Sequence, residues 1–253
     1  MKIDVLTLFP DMVKGAFSES ILKKAIDKNV IDINLVNIRD FSKYKHKRVD
    51  DSPYGGGSGM LMMIEPLKYA IESVASDKSH TIYLSPRGSR LNQEKVIELS
   101  EKKHLVLVCG HYEGIDERFI DKYVDEEISI GDFILTGGEL AATLLIDATS
   151  RYVGGVLGKD ESLCEESFEN NLLEYPQYTR PSVYDGVSVP DVLLSGNHNN
   201  IEFWRYVKSL EKTFEVRPDL FYNHLLKTLK NGDKASVKKL SDAIKNSEFI
   251  ELD

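Results

Sequence analysis

The chain has 253 residues, 42% of them hydrophobic and 29% charged, with a formal net charge of −9. That length serves one large domain, or a large and a small one, around a proper core. The acidic balance argues against a general nucleic-acid coat protein, which would be basic, and no apolar run approaches the roughly 18 residues that a membrane span requires.

Met1 to Phe9 (MKIDVLTLF) alternates like a strand and carries an acid early, so it reads as the first strand and not as a signal peptide. Phe17, Ile21 and Ala25 recur every four residues and predict an amphipathic helix. A second strand is predicted from Ile31 to Ile38. Arg39 to Arg48 (RDFSKYKHKR) then sets five basic residues against one acid, a local charge of +4. Such a run is most often a solvated face. Phe41 and Tyr44 lie among the cations, however, and aromatic rings stack on unpaired bases. Asp50 to Met60 (DDSPYGGGSGM) is a turn-rich loop, and Met60, Met62 and Met63 read as core filler.

Further strands are predicted at Thr81–Ser85, Leu105–Cys109 and near Glu127–Ile130. Each runs into a distinctive loop: Ser85-Pro86-Arg87-Gly88, then CGHYEGIDER from Cys109, then SIGDFILTGGEL from Ser129. Leu140, Ala141, Leu144, Leu145 and Ala148 form one apolar helix face directly afterwards. Strands alternating with helices imply an α/β unit, a mostly parallel sheet covered on both faces, running to about residue 160. Ligands of such sheets sit at the carboxyl ends of the strands. The three loops therefore predict one binding edge, with glycines that let main-chain groups approach a flat ligand. No G-x-G-x-x-G follows a strand and no G-x-x-x-x-G-K-[ST] occurs, so a nucleoside-like ligand would be gripped in a less common way.

His111 has no partner at ligand spacing, which argues against a metal there. Cys109 and Cys164 show neither C-x-x-C nor zinc spacing, and a cytoplasmic location is the default expectation. From about Gly158 to Pro190 periodicity is lost among Pro176, Pro181, Gly186 and Pro190, as in a linker or ordered loop. Within it, Lys159 to Glu174 holds six acids and one Lys, net −5. The remainder is helical: Phe203, Val207, Leu210 and Phe214 share a face, then Phe221, Leu225 and Leu229, then Val237, Leu240 and Ile244. Arg217-Pro218-Asp219 marks a helix restart. The organisation expected is a cofactor-binding domain over 1–160, a linker or active-site loop over 161–190, and a small all-α domain over 191–253.

With these segments in order (LTLFP, DDSPYGGGSGM, YLSPRG, CGHYEGIDER, SIGDFILTGGELA, SRYVGGVLG, LLEYPQYTRP, VLLSGNH and RPDL), the chain resembles the bacterial tRNA (guanine-N1)-methyltransferases of the SPOUT class. The resemblance covers essentially the whole chain. It implies transfer of a methyl group from S-adenosylmethionine to N1 of the guanosine at position 37, immediately 3′ of the anticodon. It also implies a deep trefoil knot in the first domain, which periodicity alone would not suggest, since true knots are very rare.

By the same resemblance the adenosyl group is expected among Tyr83, Leu84, Ser85 and Pro86, then Gly110, Tyr112, Glu113 and Gly114. Ile130, Gly131, Asp132, Phe133, Ile134, Leu135, Gly137 and Gly138 complete that set. A cofactor without phosphate also accounts for the missing phosphate loop. The family's arginine falls on Arg151, where a guanidinium would stabilise charge spreading to guanine O6. Its aspartate general base falls on Glu166, one methylene longer. Glu174 matches a position linked to magnesium dependence. Lys43, Lys45, Lys47 and Arg48 are expected to contact the anticodon arm together with the C-terminal helices, in a homodimer with both sites at the subunit interface. Two alternatives stay open: another SPOUT-type RNA methyltransferase, and a non-catalytic RNA-binding protein of the same fold.

Overall fold

A computed structural model describes residues 1–157 and 166–247. The chain divides into two compact units, Met1–Gly158 and Lys159–Asp253. The first opens with β1 (Lys2–Thr7), α1 (Pro10–Lys14), α2 (Ser20–Asp27) and β2 (Asp32–Asn37). A small hairpin, β3 (Asp50–Asp51) with β4 (Leu61–Met62), leads into α3 (Ile64–Glu72) and β5 (His80–Arg90). Then come α4 (Gln93–Ser100), β6 (His104–Cys109), α5 (Glu117–Tyr123), β7 (Glu126–Ser129) and α6 (Glu139–Ser150).

Five strands form one sheet in the order β2-β1-β6-β5-β7, and every pairing in it is parallel. Successive residues of a strand face opposite sides, and this alternation builds two cores. Ile3, Val5, Ile82, Leu84, Leu105 and Leu107 pack with α2 and α6 on one face. Leu6, Tyr83, Val106 and Val108 pack with α3 and α5 on the other. β6 lies at the centre and is buried along its whole length, as strands of a doubly covered parallel sheet are.

Three departures from the sequence expectations have simple causes. Phe17 sits in a separate 3-10 turn before α2, so the helix turns Leu22 and Ala25 inward and leaves Ile21 44% exposed. α6 is apolar nearly all round and buries Ala141, Ala142, Leu145 and Ile146, while Leu140 and Leu144 face outward. Periodicity could not choose between its two sides. Nor does Ser85-Pro86-Arg87-Gly88 end a strand. The chain leaves the β7 ladder after Leu84 and rejoins it at Ser89, opposite the same Ile128. Pro86 has no N–H to give a ladder, and Gly88 lies so close to β7 that a Cβ would stand 2.4 Å from the backbone nitrogen of Ile128.

The second unit holds a short hairpin, β8 (Val183–Tyr184) with β9 (Val187–Ser188), followed by α7 (Asp191–Leu194), α8 (His198–Val216), α9 (Pro218–Asn231) and α10 (Lys234–Lys245). Pro218 occupies the first turn of α9, where its missing N–H costs nothing. Val207, Leu210, Phe221, Leu240 and Ala243 form the core, joined by Leu172 from the irregular stretch. The amide of Leu173 donates to Thr213 Oγ1 at 2.8 Å, so this part of the stretch is built into the unit. Leu229 is 61% exposed and does not join the core face expected of it. No described helix is long and apolar enough to cross a membrane.

Candidate functional site

The Ser85–Gly88 excursion, the loop after β6 and the loop between β7 and α6 border one cavity of about 540 Å³. That is ample for a nucleoside-sized ligand. It lies at the carboxyl ends of β6 and β7 and beside the interruption of β5 after Leu84, where the three loops were expected to converge. Tyr83, Leu84, Ser85 and Pro86 form one part of its wall. Gly110, Tyr112, Glu113 and Gly114 form a second. Ile130, Gly131, Phe133, Ile134, Leu135, Gly137 and Gly138 form the third. Asp132 does not line the cavity; its carboxylate is 87% exposed and pairs with Arg90 at 3.7 Å.

The glycines in these walls leave room for main-chain groups to approach a flat ligand. A Cβ on Gly110 would meet the ring of Tyr83, so this glycine is what allows strand and loop to meet at the cavity. Burial pushes the Tyr83 phenol up to about 12, with Glu127 adding to the rise and Arg87 opposing it. Tyr83 therefore keeps its proton and offers a donor at neutral pH. At the rim Arg87 makes two hydrogen bonds to Glu117, at 2.9 and 3.1 Å. These bonds hold the Glu117 carboxyl below its ordinary range. The thiol of Cys109 is pushed well up by burial, and by Glu139 after that, so it stays neutral. Cys109 is a free cysteine; Cys164 lies outside the described residues, as does the first part of the acidic stretch, 159–165.

Two groups at this site escaped the sequence reading. His111 lines the cavity, and its Nε2 lies 2.7 Å from a carboxylate oxygen of Glu139, the first residue of α6. Thr7 at the end of β1 donates to the other oxygen at 2.6 Å. An acid opening a helix is ordinary in sequence, and nothing local marks this one as 1% exposed.

The remaining candidates are dispersed. Arg151 is half-buried at the C-terminal end of α6 in the first unit. Glu166 belongs to the second unit, on the wall of a separate cavity of about 590 Å³ that Tyr206, His224 and Lys239 also line. Glu174 is exposed, and its amide donates to Ser167 Oγ at 3.1 Å. Among the described residues there is no group of three or more His, Cys, Asp or Glu that could hold a metal ion.

In the basic segment Lys45 is exposed. Lys43 lies 4.0 Å from the ring centre of Tyr69. Lys47 pairs with Asp40 at 2.6 Å, and Arg48 with Asp51 at 3.3 Å. His46 and Lys47 both adopt positive φ, which turns the chain sharply and keeps the cations outward.

Comparison with known proteins accords with this geometry. A protein-family model described as "tRNA (Guanine-1)-methyltransferase TrmD" matches residues 1–223. A tRNA (guanine-N(1)-)-methyltransferase of Protochlamydia amoebophila is 56% identical over 220 residues, covering 87% of this chain and 99% of its own length. One from Caldanaerobacter subterraneus is 59% identical over 221 residues, covering 87% of this chain and 91% of its own. One from Carboxydothermus hydrogenoformans is 57% identical over 220 residues, with 87% of each chain covered. A match of this extent, on a chain whose glycine loops close around one cavity, shows that the protein belongs to the tRNA (guanine-1)-methyltransferase family.

Proposed function

We propose that this protein is an S-adenosylmethionine-dependent tRNA (guanine-N1)-methyltransferase that modifies the guanosine at position 37, immediately 3′ of the anticodon. The observation that carries the reading is the cavity at the ends of β6 and β7 and the interruption of β5, whose walls are the three segments just described. Bound there, the cofactor supplies an electrophilic methyl group on a sulfonium.

The chain's own residues have to make N1 of guanine a nucleophile. N1 carries a proton at neutral pH, and a carboxylate within hydrogen-bond reach that removes it contributes roughly 10² to 10⁴ in rate. Glu166 takes that proton in this proposal. Arg151 holds the negative charge that spreads to O6, where a fixed guanidinium acts through charge-assisted hydrogen bonds. Glu keeps the carboxylate of the family's Asp and adds about 1.5 Å of reach, and displacements of about 1 Å can cost 10²-fold. On this reading either the segment carrying Glu166 is shifted to suit the longer side chain, or Glu165 or another acid takes the proton in its place.

The finer features belong to the same reading. The trefoil knot is taken from the family, and its loops would be those joined where the amide of Gly138 donates to the carbonyl of Gly110 at 3.0 Å. The homodimer is supported by apolar side chains left in solvent beside the cavity: Ile134 is 79% exposed, and Phe133, Leu140 and Leu144 are also exposed. Lys43, Lys45, Lys47 and Arg48 contact anticodon-arm phosphates, which position the RNA while the pocket chooses the base. A magnesium ion near Glu174 would take one protein ligand and complete its shell with water and RNA phosphate. The place of action is the cytoplasm.

The test is transfer of labelled methyl from S-adenosylmethionine to purified tRNA with magnesium present, followed by nucleoside digestion. The expected product is 1-methylguanosine from the anticodon arm. No transfer would remove the activity, and a ribose-methylated product would reassign the enzyme within its class.

A further inference from the structure

Glu139 is the most deeply buried carboxylate beside the cavity, at 1% exposure, and the chemistry above leaves it idle. Its two oxygens join three elements far apart in sequence. One accepts from Thr7 Oγ1 at the carboxyl end of β1, at 2.6 Å. The other lies 2.7 Å from His111 Nε2, in the loop after β6. The residue itself begins α6, directly after the Gly137–Gly138 pair of the third loop.

The cluster extends one step in each direction. Thr7 Oγ1 also accepts from the amide of Phe9 at 2.9 Å, and the Phe9 ring packs on His111 with centres 4.8 Å apart. Gly137 closes the other side, where a Cβ would stand 2.3 Å from the imidazole of His111 and 2.6 Å from Glu139 Oε2. Little else can fit around the ring.

Apolar side chains of similar volume hold such a place at least as stably as a buried polar cluster. What they cannot supply is a fixed direction. Hydrogen bonds at both oxygens set one orientation of the imidazole, and through it the path of residues 110–114, which line the cavity.

We propose that Glu139 is a positioning residue for the methyl-donor site. It clamps His111 and Thr7 so that the loop after β6 and the turn before α6 present their main-chain groups to the adenosyl moiety in one arrangement. The proposal rests on the reading of this cavity as the cofactor site. It assigns Glu139 no contact with the cofactor.

The test is calorimetric binding of S-adenosylhomocysteine, together with steady-state kinetics and thermal melting, on the full-length protein. Glu139→Gln keeps the shape of the side chain and should weaken binding about tenfold or more. The loss should appear in the KM for the methyl donor, with kcat at saturating donor and the KM for tRNA near wild type. His111→Gln should show the same pattern, and the double variant should bind no worse than the weaker single one. Should Glu139→Gln fail to fold, Thr7→Val reaches the same cluster from β1, outside the cavity wall, and is read in the same way. Wild-type affinity in the variants, multiplicative losses in the double variant, or a fall confined to melting temperature and kcat would overturn the clamp alone. Absence of uptake by the wild type would overturn the cavity reading, and the clamp with it.

Discussion

The phenol of Tyr83 lies against Gly110 so closely that a Cβ on the glycine would stand 2.8 Å from its oxygen and 2.9 Å from the ring. Tyr83 lies in β5 and Gly110 opens the loop directly after its neighbour β6, and both line the cavity. Gly110→Ala must therefore displace a buried aromatic ring. The expected cost is about 1–3 kcal/mol of stability, the range for overpacking, together with weaker uptake of S-adenosylhomocysteine. Denaturant unfolding and calorimetry on the same variant measure both. A variant matching wild type in both would mean that Tyr83 has room to move.

Gly88 gives a sharper contrast, because its neighbour is backbone and cannot swing aside. A Cβ there would stand 2.4 Å from both the carbonyl carbon of Glu127 and the nitrogen of Ile128, whereas one on Gly154 would meet nothing within 4 Å. Gly88→Ala should detach the Ser85–Gly88 excursion from β7 and cost at least the overpacking range of about 1–3 kcal/mol. Gly154→Ala should be close to neutral. Urea midpoints of the pair decide the matter.

The helical unit should lose stability in mild acid. Burial lowers the pKa of His224, which is 8% exposed. Its Nδ1 donates to the carbonyl of Asn170 at 2.7 Å, and its Nε2 accepts from Tyr206 at 2.9 Å, so the neutral ring is the form the fold prefers. The folded pKa lies below the unfolded value near 6.5. The His224 contribution is then complete above about pH 6.5 and declines as pH falls toward the folded pKa. Trp204, the single tryptophan, lies in α8 of this unit and reports on it by fluorescence. Melting followed at Trp204 should be level above about pH 7 and fall as pH drops below about 6.5, and His224→Gln should flatten that slope.

Single-turnover kinetics examine the proton-transfer assignment. Glu166→Gln should slow methyl transfer at least about tenfold while cofactor affinity stays near wild type. Arg151→Ala should do the same. An unaltered rate in Glu166→Gln would move the base to another acid, and an unaltered rate in Arg151→Ala would leave O6 to another donor.

The outward face of α6 can be tested by charge. Leu140 and Leu144 are 54% and 47% exposed, and Leu140→Glu with Leu144→Glu should convert a dimer to monomers in sedimentation. Folded monomers without transferase activity are the expected result. A dimer that survives both changes would place the interface elsewhere.

Much of this was legible in the residue order. The parallel sheet and the convergence of three loops on one cavity follow from apolar runs that meet Ser85-Pro86, Cys109-Gly110 and Ile130-Gly131, although the first strand continues past Pro86. The helix restart at Pro218 follows from a residue that fits only a first turn. Periodicity failed where a helix is apolar on more than one side, as at Leu140 and Leu144, because a repeat marks faces without saying which one meets the sheet.

What the sequence determined by itself is the local chemistry: which segments extend, which coil, and which carry glycine where main chain must come close. Only the tertiary structure decided that Thr7, His111 and Glu139 meet, 132 residues apart at the widest, and that the strand after Pro86 resumes. The reason is physical. Propensity and periodicity act over a few residues along the chain, whereas a buried carboxylate takes whatever partners the packing of distant strands brings within reach.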